Sequence, residues 1–221
     1  MLEELKKKVV EIAQEADRSG LCKHKSGNFS IRDKETGYVV ITPAGIAREK
    51  LTYRDICVID VDANVIEMET GLRPSSEVMM HLEAYKARPD INSVVHTHSR
   101  FATSFAVLRK EIPAVVYEGM SYGGRIPVAP YGRPGTRQLA ESLIEPLKQS
   151  NAILLESHGV VVVGSDPDDT LLNAHYVEEI AEVYFRALLI NGGKEPNVLP
   201  QSELQSWAYP SEIKFDKVKR G

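Results

Sequence analysis

The chain has 221 residues, 43% of them apolar and 26% charged, with a net charge of −4. That balance excludes a disordered chain, and no basic face argues for nucleic acid as a partner. No apolar run approaches the ~18 residues of a membrane span, and Cys22 and Cys57 form neither a CxxC pair nor a disulfide framework. The expectation is one α/β domain over 1–221, soluble and cytoplasmic, away from membranes.

Residues 2–19 read as an amphipathic helix rather than a signal peptide, with Leu5, Val9, Ile12 and Ala16 on one face and Gly20 as the stop. Asn28–Arg32 and Tyr38–Thr42 read as a hairpin around the polar turn Asp33–Gly37. Thr52 and Asp55 resemble a capping box, and the β-branched run 56–61 reads as a strand before the turn 62–64. Pro74-Ser75-Ser76-Glu77 opens a helix to Ala87, with serine as its N-cap. A strand over 91–98 and a helix over 100–108 follow. Val115–Tyr117 and Ile126–Val128 read as short strands around Gly123-Gly124. Next come a helix over 135–149 and strands over 152–155 and 159–163. Asp166-Pro167 then opens a long helix to about Ile190, closed by Gly192-Gly193. A polar tail from about 192 carries Trp207 and Tyr209. Several neighbouring strands are joined by tight turns, so the pattern predicts a mixed sheet covered by helices and not a regular βαβ series. No GxGxxG or GxxxxGK(S/T) nucleotide-binding loop occurs.

Val94-Val95-His96-Thr97-His98-Ser99 carries the strongest chemical signal. Residues two apart in a strand share a face. His96 and His98 therefore present two imidazoles together at the end of an apolar, central strand, and imidazole is a standard zinc ligand. His158, between two apolar strands, is either a third ligand at the same edge or an ordinary loop histidine. His175 falls inside an amphipathic helix and reads as structural; His24 lies in a polar loop and stays undecided. Glu77 is the candidate carboxylate, although in a first helical turn it also complements the helix dipole. Ser75 and Ser76 either cap that helix or, with its free N–H groups, bind a phosphate. His81, four residues on, either supports the metal or packs against the sheet. Ser26-Gly27-Asn28-Phe29-Ser30 and Thr42-Pro43-Ala44-Gly45 are further candidate phosphate loops, or plain turns.

Taken in order, the segments SGNFS, ITPAG, EKLT, PSSE, VVHTHS, IPAVVY, RIPVAPYG, GTRQLAES and SHG resemble the class II aldolase/epimerase family over about Gly20 to Ile190. The resemblance implies a three-layer fold, a mostly antiparallel sheet with helices on both faces. It also implies a homotetramer with its sites at subunit interfaces. By that likeness one zinc ion per subunit, or another divalent metal, is held by His96, His98 and His158. Glu77 is then a fourth ligand that substrate displaces to become the proton-transfer base. Gly27, Asn28, Ala44, Gly45, Ser75 and Ser76 match positions around the phosphate, and Tyr117 matches a tyrosine that reaches the next subunit's site. The implied activity is reversible cleavage of a ketose 1-phosphate, of the L-fuculose 1-phosphate type, to dihydroxyacetone phosphate and a small aldehyde such as L-lactaldehyde. Alternatives are a deoxyribulose-1-phosphate aldolase, a pentulose-phosphate 4-epimerase and a methylthioribulose-1-phosphate dehydratase. The non-enzyme alternative is a zinc-stabilised binding domain. Glu77, where the epimerases carry aspartate, favours the aldolase. The chain departs from the family pattern in three places: one residue fewer after Gly123-Gly124, Pro134 in place of an aromatic residue, and the divergent tail.

Overall fold

The computed structural model describes residues 1–204; Trp207 and Tyr209 lie outside them. The strands are β1 Asn28–Arg32, β2 Val39–Ile41, β3 Cys57–Ile59, β4 Val65–Glu67, β5 Ser93–Thr97, β6 Val128–Ala129, β7 Ala152–Leu155 and β8 Gly159–Gly164. They form one sheet in the order β4-β3-β2-β1-β5-β8-β7-β6. Every pairing is antiparallel except β6 with β7. Around it stand α1 Glu3–Arg18, α2 Val78–Ala87, α3 Arg100–Val107, α4 Arg137–Ser142, α5 Ile144–Leu147, α6 Pro167–Ile190 and the short α7 Gln201–Leu204. Among the described residues no helix is long and apolar enough to cross a membrane.

Side chains alternate across a strand, so the apolar run of β8 feeds two cores. Val160 and Val162 pack with Val9 and Ile12 of α1, Phe105 of α3 and Val177 and Tyr184 of α6. Val161 and Val163 pack on the opposite face with Met80 and Leu82 of α2, Leu139 of α4 and Leu147 of α5. The result is three layers, with the sheet between two sets of helices. Burial on both faces explains why the central strands read as continuous apolar runs instead of alternating ones.

Three local expectations need correction. Serine does not cap α2. The Ser75 N–H donates to the Thr42 carbonyl at 3.1 Å, tying the segment to the end of β2, and the helix opens only at Val78. The Ser75 hydroxyl accepts the Glu77 N–H at 3.2 Å. Residues 115–117 are not a strand. An isolated bridge joins Ile112 to Ile126; the groups that would extend it are taken elsewhere, the Gly124 N–H donating to the Gly119 carbonyl and the Ala114 carbonyl accepting the Leu199 N–H, each at 2.8 Å, and the chain coils into a 3-10 turn, Tyr117–Tyr122. The helix expected over 135–149 is broken into α4 and α5, because Pro146 cannot donate to the carbonyl four residues back.

The start of α6 follows the sequence reading. The Asp166 carboxylate accepts the Asp168 and Asp169 N–H groups at 2.9 and 3.1 Å, with Pro167 in the first helical position. Asp166→Ala should therefore cost about 1 kcal/mol of stability, read as a lower urea midpoint with an unchanged slope.

Candidate metal centre

The edge of the sheet where β5 ends and β7 turns into β8 gathers four side chains. His96 stands in β5 opposite Asn28 of β1 and Val161 of β8. His98 follows just beyond the strand, on the same face. His158 lies in the tight β7–β8 connection, where Ser157 takes a left-handed backbone at φ 55°. Glu77 is the residue before α2, on the layer that packs against that face. One ligand atom from each of Glu77, His96, His98 and His158 lies within 4.8 Å of all the others. His96 Nε2 is 3.0 Å from His98 Nε2. The Glu77 oxygens stand 3.3 Å from His96 Nε2 and 3.3 Å from His158 Nε2.

These atoms fit a bound cation. His96 Nδ1 donates to the Val160 carbonyl at 2.8 Å, so its proton sits there and its Nε2 lone pair faces the cluster. Lone pairs converging at such distances repel unless a positive charge stands between them. Glu77 Oε1 is buried without a hydrogen-bond partner, a costly state for a carboxylate that a cation relieves. Three imidazole nitrogens and one carboxylate oxygen suit zinc. Burial, and after it repulsion from His96, hold His98 down to about 3 and His158 to about 4. Both rings are thus neutral and ready to ligate near pH 7. Burial pushes the Glu77 carboxyl up, but its interactions with the His96 and His158 rings facing it and the Asn28 hydrogen bond outweigh it. The carboxyl stays ionised, well below the usual carboxylate range.

Glycine is required behind the rings. A Cβ on Gly159 would fall 2.4 Å from the Thr97 carbonyl, 3.2 Å from His98 Cδ2 and 3.3 Å from His96 Cε1. One on Gly27, at φ +74°, would fall 2.2 Å from Cys22 Sγ and 2.8 Å from the His96 carbonyl.

A chain of buried polar groups holds Glu77 from behind; the sequence reading offers His81 as support for the metal or as sheet packing but does not link it to Asn28, Ser30 and Tyr85. Asn28 Nδ2 donates to Glu77 Oε2 at 2.8 Å, and Asn28 Oδ1 accepts from His81 Nε2 at 2.5 Å. The His81 proton is therefore on Nε2, and Nδ1 accepts the Ser30 hydroxyl at 2.7 Å. The Tyr85 hydroxyl lies 2.8 Å from Ser30 Oγ and donates to the Ser30 carbonyl. Burial holds His81 down to about 3, so it is neutral. The signal lay in two periods at once. Asn28 and Ser30 are two apart on β1, and His81 and Tyr85 are four apart on α2, so the two rows interleave.

The cluster opens on a cleft of about 320 Å³. Its walls include all six candidate phosphate residues, Gly27, Asn28, Ala44, Gly45, Ser75 and Ser76, together with Glu77, His98 and His158. Pro134 and Arg48 line it too. Tyr117 is not among the lining residues; it is exposed at the start of its 3-10 turn. His24 lies in a separate surface hollow and His175 within α6, away from the cluster.

With this geometry in view, the sequence profile described as Class II Aldolase and Adducin N-terminal domain matches residues 7–185. The chain belongs to that family. A 5-deoxy-D-ribulose 1-phosphate aldolase of Bacillus thuringiensis serovar kurstaki is 35% identical over 94% of this chain and 95% of its own length. An L-fuculose phosphate aldolase of Escherichia coli is 38% identical over 84% of this chain and 85% of its own. A solved L-fuculose 1-phosphate aldolase superposes with a TM-score of 0.85 at 33% identity, covering 91% of this chain and 93% of its own. The class II aldolase is an enzyme family that works with a metal, and this member is an enzyme of that type.

Two outcomes follow. His96→Ala should abolish stoichiometric metal binding, measured by elemental analysis after dialysis, while leaving the far-ultraviolet spectrum unchanged. A metal-loaded variant would contradict the assignment. The second concerns acid. An unfolded chain protonates histidine near 6.5, whereas His98, His158 and His81 resist until about 3 to 4 in the fold. Between those values the unfolded state binds more protons, so the metal-free protein should lose stability as pH falls from about 6.5 toward 4, with no contribution from these rings above that window. Urea unfolding across a pH series measures it; a midpoint that is flat throughout would oppose it.

Proposed function

We propose that this chain is a zinc-dependent aldolase that reversibly cleaves a ketose 1-phosphate of the L-fuculose 1-phosphate type to dihydroxyacetone phosphate and a small aldehyde such as L-lactaldehyde. The observation that carries this reading is a buried cluster of three imidazoles and one carboxylate at the mouth of a cleft lined by small residues and hydroxyls. A structural metal would be sealed; this cluster faces open space of substrate size.

His96, His98 and His158 hold the ion, and neutral rings leave its charge undiminished. A divalent ion there supplies Lewis-acid polarisation of the substrate ketone. Glu77 is the base. In the condensation direction it takes the proton from the carbon next to the ketone, and in cleavage it returns it. The Asn28 amide keeps one carboxylate oxygen aimed while the other works. Gly27, Asn28, Ala44, Gly45, Ser75 and Ser76 hold the phosphate and neighbouring oxygens, fixing the ester far from the reacting carbons and so setting their register. Tyr117, exposed on its own chain, gives its proton to the aldehyde oxygen in a neighbouring subunit's site of a homotetramer. Cytoplasmic placement accords with two buried, unpaired cysteines.

A second reading has its own support. The relative named for 5-deoxy-D-ribulose 1-phosphate covers 94% of this chain, and an Escherichia coli relative named for 5-methylthioribulose-1-phosphate and 5-deoxyribulose-1-phosphate is 35% identical over 91%. These sugars share the ketose 1-phosphate end with L-fuculose 1-phosphate. They differ at the aldehyde end.

Incubating the metal-loaded protein with a panel of ketose 1-phosphates, and measuring dihydroxyacetone phosphate, decides among them. Turnover without any triose phosphate would point to epimerisation or dehydration instead. Glu77→Gln should retain zinc on the three imidazoles but slow exchange of the α-proton of dihydroxyacetone phosphate into deuterated water by about 10²–10⁴-fold. Wild-type exchange in that variant would remove Glu77 from the role of base.

A further inference from the structure

Arg48 is only 3% exposed, and among the described residues no carboxylate pairs with it. Its partners are all backbone carbonyls. Nε donates to Ser26 at 3.4 Å, one terminal nitrogen to Pro43 and Ile46 at 3.4 Å each, and the other to Lys25 at 3.1 Å and Gly27 at 2.5 Å. Guanidinium has five N–H donors in a rigid fork, and here they reach five carbonyls in two separate loops. Those loops, 25–27 and 43–46, make up one side of the cleft that also holds Glu77, His98 and His158. Burial pushes the guanidinium pKa below its ordinary value, yet arginine keeps its proton in proteins.

A buried cation without a counter-ion is expensive, and carbonyl dipoles offset only part of that cost. An anion brought into the same cleft supplies the missing charge. The peptide geometry adds to this. A trans peptide sends its N–H opposite its carbonyl. Drawing the Ser26 and Ile46 carbonyls onto Arg48 therefore turns the Gly27 and Ala47 N–H groups away from it.

We propose that Arg48 is the positioning residue of the phosphate subsite, clamping the 25–27 and 43–46 loops by their carbonyls and providing the fixed positive charge that a bound dianion neutralises. This rests on the reading of the cleft as the phosphate end of a ketose 1-phosphate site. Arg48 does not touch the phosphate, because its donors are already committed. Its contribution passes through the loops and through the field.

The test uses full-length, metal-loaded wild type, Arg48→Gln and Arg48→Lys, with inorganic phosphate as the probe. Calorimetry gives the phosphate dissociation constant, elemental analysis the metal content, and steady-state assays KM and kcat for a turned-over ketose 1-phosphate and its unphosphorylated ketose. Arg48→Gln should keep its metal and weaken phosphate binding about tenfold, as for loss of a charge-assisted contact. KM for the phosphate ester should rise by a similar factor, more than kcat falls, with little change for the unphosphorylated sugar. Arg48→Lys, which keeps the charge and loses the fork, should fall between the two. Equal weakening for both sugars, or wild-type phosphate affinity in Arg48→Gln, overturns the proposal. Should Arg48→Gln lose metal or fold, Arg48→Lys decides alone: weakened phosphate binding with full metal supports the role, and loss of metal there too overturns it. Wild type that binds no phosphate defeats the underlying reading of the cleft, an outcome distinct from wild type that binds phosphate without regard to residue 48.

Discussion

The register of β5 between β1 and β8 is the constraint on which this molecule depends. Asn28 faces His96 across one ladder and Val161 faces it across the other. A slip of one residue would exchange the two faces of β5. It would turn the imidazole into the layer occupied by α1, α3 and α6, and Val95 toward Glu77. The run of valines in β8, buried on both sides, would tolerate such a slip poorly because each face packs against a different set of helices. The hydrophobic cores and the polar cluster are thus fixed by one ladder. That is why a polar centre can form at the edge of so apolar a strand.

Around that ladder the polar groups divide into two kinds. The metal-facing atoms are left with unmet lone pairs, and the groups behind them are satisfied in sequence from Asn28 to Tyr85. The division is economical in residues. Asn28 belongs to the satisfied kind yet also lines the cleft, while its amide aims Glu77. Gly27 and Gly159 leave the volume in which the rings stand, since any Cβ there would strike a carbonyl or the rings themselves.

Much of this is legible in the sequence. The apolar runs of β5, β7 and β8, the hairpin of β1 and β2, and the Asp166-Pro167 start of α6 each carry a local signal whose physics is local. His96 and His98 were legible for the same reason, since two residues apart on a strand is a geometric statement. His158 was not. A histidine in a turn has no periodicity, and only the β7–β8 pairing brings it to Glu77. The helix after Pro74 began later than its serines suggested because a tertiary hydrogen bond from Ser75 to Thr42 won over capping. Pro146 interrupts a helix whose apolar pattern continues through it, and the Gly124 N–H, donated to the Gly119 carbonyl, ends the ladder at Ile112 and Ile126. Arg48 left no signal at all. Its partners are carbonyl oxygens, which every residue possesses, so nothing in the run Arg48-Glu49-Lys50 separates it from an ordinary surface cation. The match of Tyr117 came from family likeness alone.

The row of buried groups behind Glu77 has a directional character. Each member passes a hydrogen bond toward the carboxylate: Ser30 to His81, His81 to Asn28, Asn28 to Glu77. An amide in the middle of such a row is an insulator. Its nitrogen has no basic lone pair, so it cannot release a proton on one side while gaining one on the other. A proton arriving on Glu77 consequently has no exit into the interior through His81, despite the imidazole only one residue further along. It must leave by the cleft, to solvent or back to the molecule that delivered it.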